Sequence, residues 1–443
     1  MKSVFFLLMF AMFSFVSAAG EEETTEEKTK RMQWFKDAKL GIFIHWGIYS
    51  VKGIDESWSF HNGYISYDEY MTQLRGFTAS RYDPQAWAKL IRESGARYAV
   101  LTSKHHDGVA LWDSRHSDLN VVKKTPAGRD LVAPYCKALR EQGLKVGLYF
   151  SQLDWSHPDY PHHTRTIKRY KEDPERWARF LAFQQGQLEE IATRYKPDLL
   201  WFDGDWDFDA EKWRAAEQRR SINTWLPDVI VNSRLNEYGD YSTPEQGLPV
   251  TRPQDPWWEL CLTMNDSWGY QHNDHNYKTP NQILRIFVDC LSMGGNLLLD
   301  IGPKQDGTLP EEQIEVLKEL GRWTNKHAEA IYGVESGLPH GHFYGATALS
   351  RNKQLLYLYL PHKPRGPIVL KGIKNLVNRI WVVGNGTKLS WKVMMKQYWS
   401  RVPGIIYIDV PEEVLDDQVT VVAILLKGPV DLYREDGQTI ESN

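Results

Sequence analysis

The chain has 443 residues, a formal net charge of −4 and 25% charged residues. This length exceeds that of one ordinary domain and accommodates a large barrel together with a smaller module. No block of one charge sign is long enough to indicate a nucleic acid partner, and the short acidic run over residues 21–27 is typical of a solvated leader.

Residues Met1–Ala19 have the pattern of a secretory signal peptide. Lys2 provides a positive start, an apolar stretch follows, and small residues at 16–18 or 17–19 offer a cleavage site. No cysteine follows directly, so we expect no lipid anchor, and we expect no other membrane anchor. We therefore expect the mature protein to be secreted or periplasmic, and its oligomeric state stays open.

The region from about residue 30 to 335 alternates strand-like runs with amphipathic helical patterns. This alternation predicts the α/β class and a (β/α)8-like TIM barrel. The predicted strands are 40–44, 98–102, 145–150, 199–203, 229–231, 258–264 and 296–299, and the predicted helices are 84–95, 130–143, 174–195 and 310–327.

The later part of the chain has a different pattern. From about residue 340, short alternating runs without helical periodicity predict a C-terminal antiparallel β-sandwich over residues 336–443. A cover that stabilises the barrel is favoured over a sugar-binding role for this module, because no site is visible in it.

The three cysteines are odd in number and lie in largely apolar surroundings. We therefore expect Cys136, Cys261 and Cys290 to be free structural thiols rather than a disulfide framework. A large core must then hold the protein together.

Nearly every predicted barrel strand ends in a His, Asp, Tyr, Arg or Trp, and in a barrel those ends open on one face. In the stretch Lys196–Asp209, the apolar run over 199–202 stops at Asp203 and Gly204. An acid at the tip of a buried parallel strand is typical of barrel active sites. A lone Asp in this position is nevertheless more often the cap of the next helix.

The composition includes 18 Trp and 22 Tyr. Most of these rings belong to the core, but rings beside fixed polar groups at strand ends suit a sugar. Two carboxylates with such a pocket would make a glycosidase. Asp203 is the first candidate. Glu245 is the second if its irregular segment, 239–246, folds over the pocket and partly desolvates it; otherwise it is an ordinary solvated loop residue.

The chain resembles glycoside hydrolase family 29, the α-L-fucosidases, in five motifs that occur in the family's order. They are Gly41–Gly47 preceded by Trp34-Phe35, Lys104–Gly108, Leu200–Gly204, Ser267–Tyr270 and Gly294–Pro303. The resemblance spans almost the whole barrel. It implies an exo-acting, retaining α-L-fucosidase that removes terminal fucose from fucosylated oligosaccharides or glycoconjugates through a fucosyl-enzyme, with no cofactor.

The same resemblance implies roles for individual residues. Asp203 matches the nucleophile and Glu245 best matches the acid/base, with Glu259 as its rival. A structural carboxylate is the favoured interpretation of Glu259, because it lies inside an apolar run. The residues that resemble the family's sugar-binding positions are His45, Glu56, Trp58, His105, His106, Tyr149, Arg234 and Trp268.

Each of these residues, taken alone, is more often an ordinary core residue or surface ion pair. His45, His105, His106 and Asp203 also permit a zinc site. Adjacent residues on an extended chain point in opposite directions, so hydroxyl recognition is favoured and no metal is predicted.

Two other functions stay open from the sequence. One is a related retaining glycosidase that acts on another sugar, such as galactose. The other is a non-catalytic carbohydrate-binding protein. The fucosyl linkage and the aglycone are not specified, because loops such as Pro158–Pro174 and Glu237–Pro253 would determine them.

Overall fold

The computed structural model describes residues 23–399 and 401–433. The predicted signal peptide lies outside these residues. Within them, the first part of the chain contains seven strands that form one parallel sheet in the order β5-β4-β3-β2-β1-β7-β6. Their bounds are β1 Leu40–Ile44, β2 Tyr98–Lys104, β3 Lys145–Ser151, β4 Leu199–Asp203, β5 Ile230–Val231, β6 Glu259–Thr263 and β7 Asn296–Ile301.

Helices follow or precede these strands along the chain. They are α1 Thr25–Ala38, α2 Trp58–His61, α3 Tyr67–Met71, α4 Pro84–Glu93, α5 Val121–Lys124, α6 Val132–Glu141, α7 Pro174–Glu190, α8 Ala210–Trp213, α9 Ala215–Trp225, α10 Pro280–Met293 and α11 Glu311–Lys326. All four predicted helices are confirmed with small differences at their ends. No helix among the residues described is both long enough and apolar enough to cross a bilayer.

Local sequence signals explain where the main helices begin. The Asp83 carboxylate accepts hydrogen bonds from two amides of the first turn of α4, and Pro84 occupies the first helical position. Thr279 and Gln282 form a capping box at the start of α10, which also begins with a proline. These caps fix the helices that cover the outer face of the sheet.

The predicted (β/α)8-like barrel is confirmed only in part. The sheet is curled and parallel, but it has seven regular strands and does not close. Its edges are β5 and β6, and the segment 241–245 lies between them with isolated parallel bridges to Asn232 on one side and to Trp258 and Cys261 on the other. This segment is irregular because Pro244 has no backbone N–H and cannot donate a hydrogen bond to a regular ladder.

Alternation along each strand separates two buried layers. In β4, Leu200 and Phe202 pack in the large outer core under the helices, whereas Leu199 and Trp201 pack inside the curled sheet. Asp203 shares the inner face with Trp201. At Gly41 a Cβ would lie 2.4 Å from the Tyr98 ring, so only glycine leaves room for this tyrosine in the interior. The strands are therefore buried on both faces, as their continuous apolar runs predict.

The last part of the chain forms two antiparallel sheets. One has the order β12-β15-β10-β9-β8 and the other β11-β14-β13. Their strands are β8 Glu335–Ser336, β9 Thr347–Leu349, β10 Leu355–Leu360, β11 Ile368–Lys371, β12 Val377–Val382, β13 Trp391–Met394, β14 Ile405–Ile408 and β15 Thr420–Leu426. Leucine, isoleucine and valine side chains from both sheets form one buried cluster.

All three cysteines are free and buried, which confirms the prediction of structural thiols. Hydrophobic packing, not cross-linking, joins the sheets to the helices. Trp323 of α11 is buried, and its indole N–H donates to the carbonyl of Val419, 2.8 Å away. Beside it, Asp416 accepts hydrogen bonds from Arg322 and Lys326.

We expect Asp416→Asn to destabilise the protein by about 2 kcal/mol at pH 7, the value of a hydrogen bond to a charged group. Burial alone would raise the pKa of Asp416, but Arg322 and Lys326 hold it well below its ordinary range. A lowered carboxylate pKa stabilises the fold above the unfolded pKa, and this stability is lost as the pH falls through the native pKa.

The difference in melting temperature between wild type and Asp416→Asn should therefore be largest at pH 7 and should decrease as the pH falls below about 4. The exposed neighbour Asp417 provides the control, because Asp417→Asn should change the melting temperature little at any pH. A difference that persists undiminished at low pH would contradict this assignment.

Candidate active site

Asp203 lies at the carboxyl end of β4 and is held by hydrogen bonds from two side chains. Tyr149, near the end of β3, donates its hydroxyl hydrogen to Oδ2 at 2.9 Å, and Arg234 donates to Oδ1 at 2.8 Å. His106 places Nε2 3.5 Å from Oδ2. Only 12% of the Asp203 side chain is exposed, so the carboxylate is enclosed except toward the pocket.

The alternative interpretation of Asp203 as a helix cap is excluded. The short turn that follows begins at Asp205 and has no side-chain cap, and Asp209, not Asp203, caps α8 through the amide of Lys212. Gly204 has φ +90° and a Cβ there would lie 2.4 Å from Leu153, so the chain turns sharply away and leaves Asp203 at the strand tip.

Arg234 joins the two carboxylates that the sequence predicts. Its Nη1 donates to Asp203, and its Nη2 donates to Glu245 Oε2 at 2.6 Å. Its guanidinium carbon lies 4.7 Å from the centroid of the Trp201 ring. Asn232 lies two residues before Arg234, accepts from the Phe202 amide and donates to the Phe202 carbonyl. These bonds continue the pairing of β5 with β4 beyond the short strand and so position Arg234.

Glu245 lies in the gap between the two edges of the parallel sheet. The carbonyl of Pro244 accepts from the amide of Cys261 at 3.1 Å, so the segment is attached to β6. Just before this segment, the buried carboxylate of Asp240 accepts hydrogen bonds from Arg31 and Arg219. The Glu245 side chain is 42% exposed and turns toward Arg234. The structure thus brings it to the pocket, but on the open side.

Glu259, the rival of Glu245, lies beneath the pocket. It is fully buried, and its carboxylate accepts hydrogen bonds from Tyr98, Trp201 and Tyr241. Burial raises its pKa to about 7, which would suit a proton donor. Its enclosure by three aromatic side chains leaves no path to a leaving group, which agrees with the structural interpretation.

Three imidazoles line the pocket, and each is fixed through Nδ1. His45 Nδ1 is 2.6 Å from the buried carboxyl of Asp300. His105 Nδ1 is 2.5 Å from the Ser57 hydroxyl. His106 Nδ1 is 2.6 Å from Ser151. Each ring therefore has its orientation set by a group outside the pocket.

Ser151 donates its own hydroxyl hydrogen to the carbonyl of Leu153, so it accepts from His106. His106 therefore carries its proton on Nδ1 and keeps Nε2 as an acceptor. Burial lowers the pKa of His45, His105 and His106 well below the ordinary value, so all three are neutral at pH 7. Neutral imidazoles can accept hydrogen bonds from hydroxyl groups.

Aromatic rings form the wall on one side. The Trp268 ring lies 5.0 Å from that of His45. Its loop is held by Glu56, whose buried carboxyl accepts from the amide of Gly269 at 2.5 Å. Burial raises the pKa of Glu56 to about 7, and the Gly269 bond opposes that rise. The Glu56 carboxyl therefore lies against the loop that carries Trp268.

Trp58 forms the opposite wall with residues that sequence reasoning did not select. Its ring contacts His106 and packs against Trp155 and Trp206. Trp206 is 52% exposed although it follows the nucleophile candidate by only three positions. Asp300, Ser57 and Ser151 were missed as well. Of the residues that were not selected, only Trp206 had a signal in the sequence, because it is an aromatic residue close to a strand-end acid.

The zinc interpretation finds no geometric support. Among the residues that the structure describes, no three His, Cys, Asp or Glu are arranged to hold a metal ion. The argument that His105 and His106 point apart is wrong, since β2 ends at Lys104 and their ring centroids are 4.3 Å apart. The chain beyond the strand is no longer extended, and both rings reach the pocket.

Comparison with known proteins identifies relatives of the whole arrangement. A family model described as alpha-L-fucosidase matches residues 10–329. An alpha-L-fucosidase of Dictyostelium discoideum is 32% identical over 335 residues, which are 68% of this chain and 71% of that protein. The tissue alpha-L-fucosidase of Mus musculus is 33% identical over 337 residues, 68% of this chain and 71% of that one.

Solved structures give the same result. Alpha-L-fucosidase isoenzyme 1 from Paenibacillus thiaminolyticus is 35% identical, with a TM-score of 0.83 over 90% of this chain and 99% of that chain. A GH29 alpha-L-fucosidase from Bacteroides thetaiotaomicron, trapped as a covalent intermediate with 2-fluoro-fucosyl fluoride, has 28% identity and a TM-score of 0.80, and the match covers 90% and 96% of the chains. This chain belongs to the alpha-L-fucosidase family of glycoside hydrolases.

Proposed function

We propose that this protein hydrolyses terminal α-L-fucosides with retention of configuration, with Asp203 as nucleophile and Glu245 as acid/base. One observation carries the assignment of these two residues. A single guanidinium, that of Arg234, bonds both carboxylates at the mouth of the sheet. The nucleophile and the acid/base of a retaining glycosidase must flank one glycosidic bond at short separation, and this shared partner holds the two groups close.

In the first step, Asp203 attacks the anomeric carbon and the bond from this carbon to the aglycone oxygen breaks. Arg234 and Tyr149 orient the attacking carboxylate. Glu245, protonated, gives its proton to the departing oxygen. In the second step, Glu245 takes a proton from water, the water oxygen attacks the anomeric carbon, and fucose leaves Asp203 free.

Glu245 must leave Arg234 to reach the leaving oxygen. The Glu245 side chain is 42% exposed, and an ion pair at such a position contributes only about 0–1 kcal/mol. Its release therefore costs little. The exposed position also gives the attacking water access to Glu245 in the second step, whereas Asp203 stays enclosed.

The neutral histidines suit the hydroxyl groups of fucose, and the aromatic walls suit its apolar faces. We assign sugar contacts to His45, His105 and His106, to Tyr149 and Arg234, and to the rings of Trp58 and Trp268. We also assign a sugar contact to Glu56, whose carboxyl accepts from the amide of Gly269 beside Trp268. The proposed substrates are fucosylated oligosaccharides or glycoconjugates.

Three finer points belong to the same proposal. The segment 241–245 occupies the place of an eighth strand, since it bridges to both edges of the parallel sheet. The protein acts outside the cytosol, in secreted or periplasmic form, which the signal-like pattern of Met1–Ala19 supports. The C-terminal sheets, which share one buried cluster, serve as a sandwich that covers the barrel helices.

Asp203→Ala should lower kcat on an aryl α-L-fucoside by about 10³-fold or more, because no group remains to form the glycosyl-enzyme. The wild-type protein should gain one 2-fluoro-fucosyl group by mass spectrometry after incubation with 2-fluoro-fucosyl fluoride, on the peptide that contains Asp203. Near-wild-type turnover of the variant, or labelling of another residue, would contradict the assignment.

Glu245→Gln should lower kcat on fucosides with poor leaving groups by about 10²–10⁴-fold and affect good leaving groups less, because only the former need protonation. Added azide should restore turnover and give α-L-fucosyl azide. The exposed Glu237, on the same connection, provides the control, and Glu237→Gln should behave as wild type. An equal loss on all leaving groups would remove Glu245 from this role.

A panel of aryl glycosides distinguishes the remaining alternatives. Preference for an aryl galactoside over the matching fucoside would favour a related retaining glycosidase. Binding of fucosides without release of product would favour a carbohydrate-binding protein, a result that the paired Asp203 and Glu245 argue against.

A further inference from the structure

Glu259 is a buried acid that the proposed reaction does not use. It begins β6, and its carboxylate accepts from Tyr98 on β2, from Trp201 on β4 at 3.1 Å and from Tyr241 at 3.5 Å. No Lys, Arg or His of the described chain lies within ion-pair distance of it. Burying a carboxyl without a cation is costly, so a purely stabilising role does not account for it.

The Trp201 ring connects this acid to the site above. Its N–H is bonded to Glu259, and its position beneath the pocket brings it against two side chains that bind Asp203. The Arg234 guanidinium carbon lies 4.7 Å from the ring centroid. The Tyr149 ring is stacked on it with centroids 5.7 Å apart and planes within 18°. One indole thus supports both hydrogen-bond donors of Asp203.

The indole has a single polar atom, and apolar contacts alone do not fix the rotation of the ring about its Cα–Cβ and Cβ–Cγ bonds. Phe43 packs on it with centroids 4.9 Å apart but gives no directional bond. The bond from Trp201 Nε1 to Glu259 therefore determines which way the ring lies. A shift of the ring would move Arg234 and Tyr149 together, and misplacement by about 1 Å can cost 10²-fold in rate.

We propose that Glu259 is a positioning residue for the fucosidase reaction: through Trp201 it fixes Arg234 and Tyr149, and with them the attack geometry of Asp203. This inference rests on the proposed function of Asp203. Glu259 itself touches neither the sugar nor the leaving group. It acts on the chemical step more than on sugar binding, because the three pocket histidines are fixed by other groups.

The test compares steady-state kinetics of Glu259→Leu and Glu259→Gln in the full chain on an aryl α-L-fucoside. Glu259→Leu should lower kcat by about 10–100-fold and change KM by no more than about 3-fold. Glu259→Gln should restore kcat to within about 3-fold of wild type, because the amide oxygen still accepts from Trp201 Nε1. A general acid would lose as much activity with Gln as with Leu.

Tyr98→Phe provides the matched control. It removes another hydrogen bond from the same carboxyl and leaves the Trp201 bond in place, so it should lower the melting temperature while kcat stays within about 3-fold of wild type. Trp201→Phe keeps an aromatic ring but loses the N–H, so it should match the kcat loss of Glu259→Leu, and the double variant should be no slower than Trp201→Phe alone.

An unchanged kcat in Glu259→Leu, or losses that multiply in the double variant, would overturn the proposal. If Glu259→Leu does not fold, Trp201→Phe decides, since unchanged kcat in that variant also overturns it. A wild-type protein without fucosidase turnover would instead refute the proposed function. If the wild type is active and Glu259→Leu is equally active, only the positioning role is refuted.

Discussion

The bond of one guanidinium to two carboxylates is the interaction on which the account of this site depends. Arg234 is bonded to Asp203 at the tip of a buried strand and to Glu245 on the segment between the sheet edges. Two carboxylates close together repel each other unless a cation lies between them. The Arg234 charge therefore allows the pair to exist, and its planar fork sets their relative direction.

The rest of the interior supports that arrangement in layers. Tyr149 completes the bonding of Asp203, and the Trp201 indole lies beneath both Tyr149 and Arg234. Below the indole, Glu259 accepts its N–H. Around the pocket, Asp300 and the two serines hold the imidazoles through Nδ1, and in the proposed function the opposite nitrogens bind the sugar. The proposed function therefore depends on polar groups well below the surface of the pocket.

The sequence predicted the elements whose signal is local. Buried parallel strands read as continuous apolar runs, and capped helices carry Asp, Thr and Pro at their starts, so both were predicted close to their observed bounds. The position of Asp203 followed from the same logic, because a strand that stops at an Asp-Gly pair must place the acid at its tip. The family resemblance then supplied Glu245, which no periodicity marks.

Other features depend on contacts between distant residues and could not be predicted from the sequence. The opening of the sheet follows from Pro244 and from bridges to two separate strands. The bond of the buried Glu56 to Gly269 and the bonds of the histidines to Asp300, Ser57 and Ser151 are set by tertiary packing. The prediction that His105 and His106 point in opposite directions was wrong because β2 ends at Lys104, so neither histidine lies on the extended strand.

The separation of the Asp203 and Glu245 carboxyl groups in a crystal structure with fucose bound tests the central claim most directly. A retaining enzyme with Asp203 as nucleophile and Glu245 as acid/base requires about 5–5.5 Å between them. A separation of roughly 6.5–9.5 Å would leave room for a water molecule and indicate inversion, which would contradict a fucosyl-enzyme on Asp203.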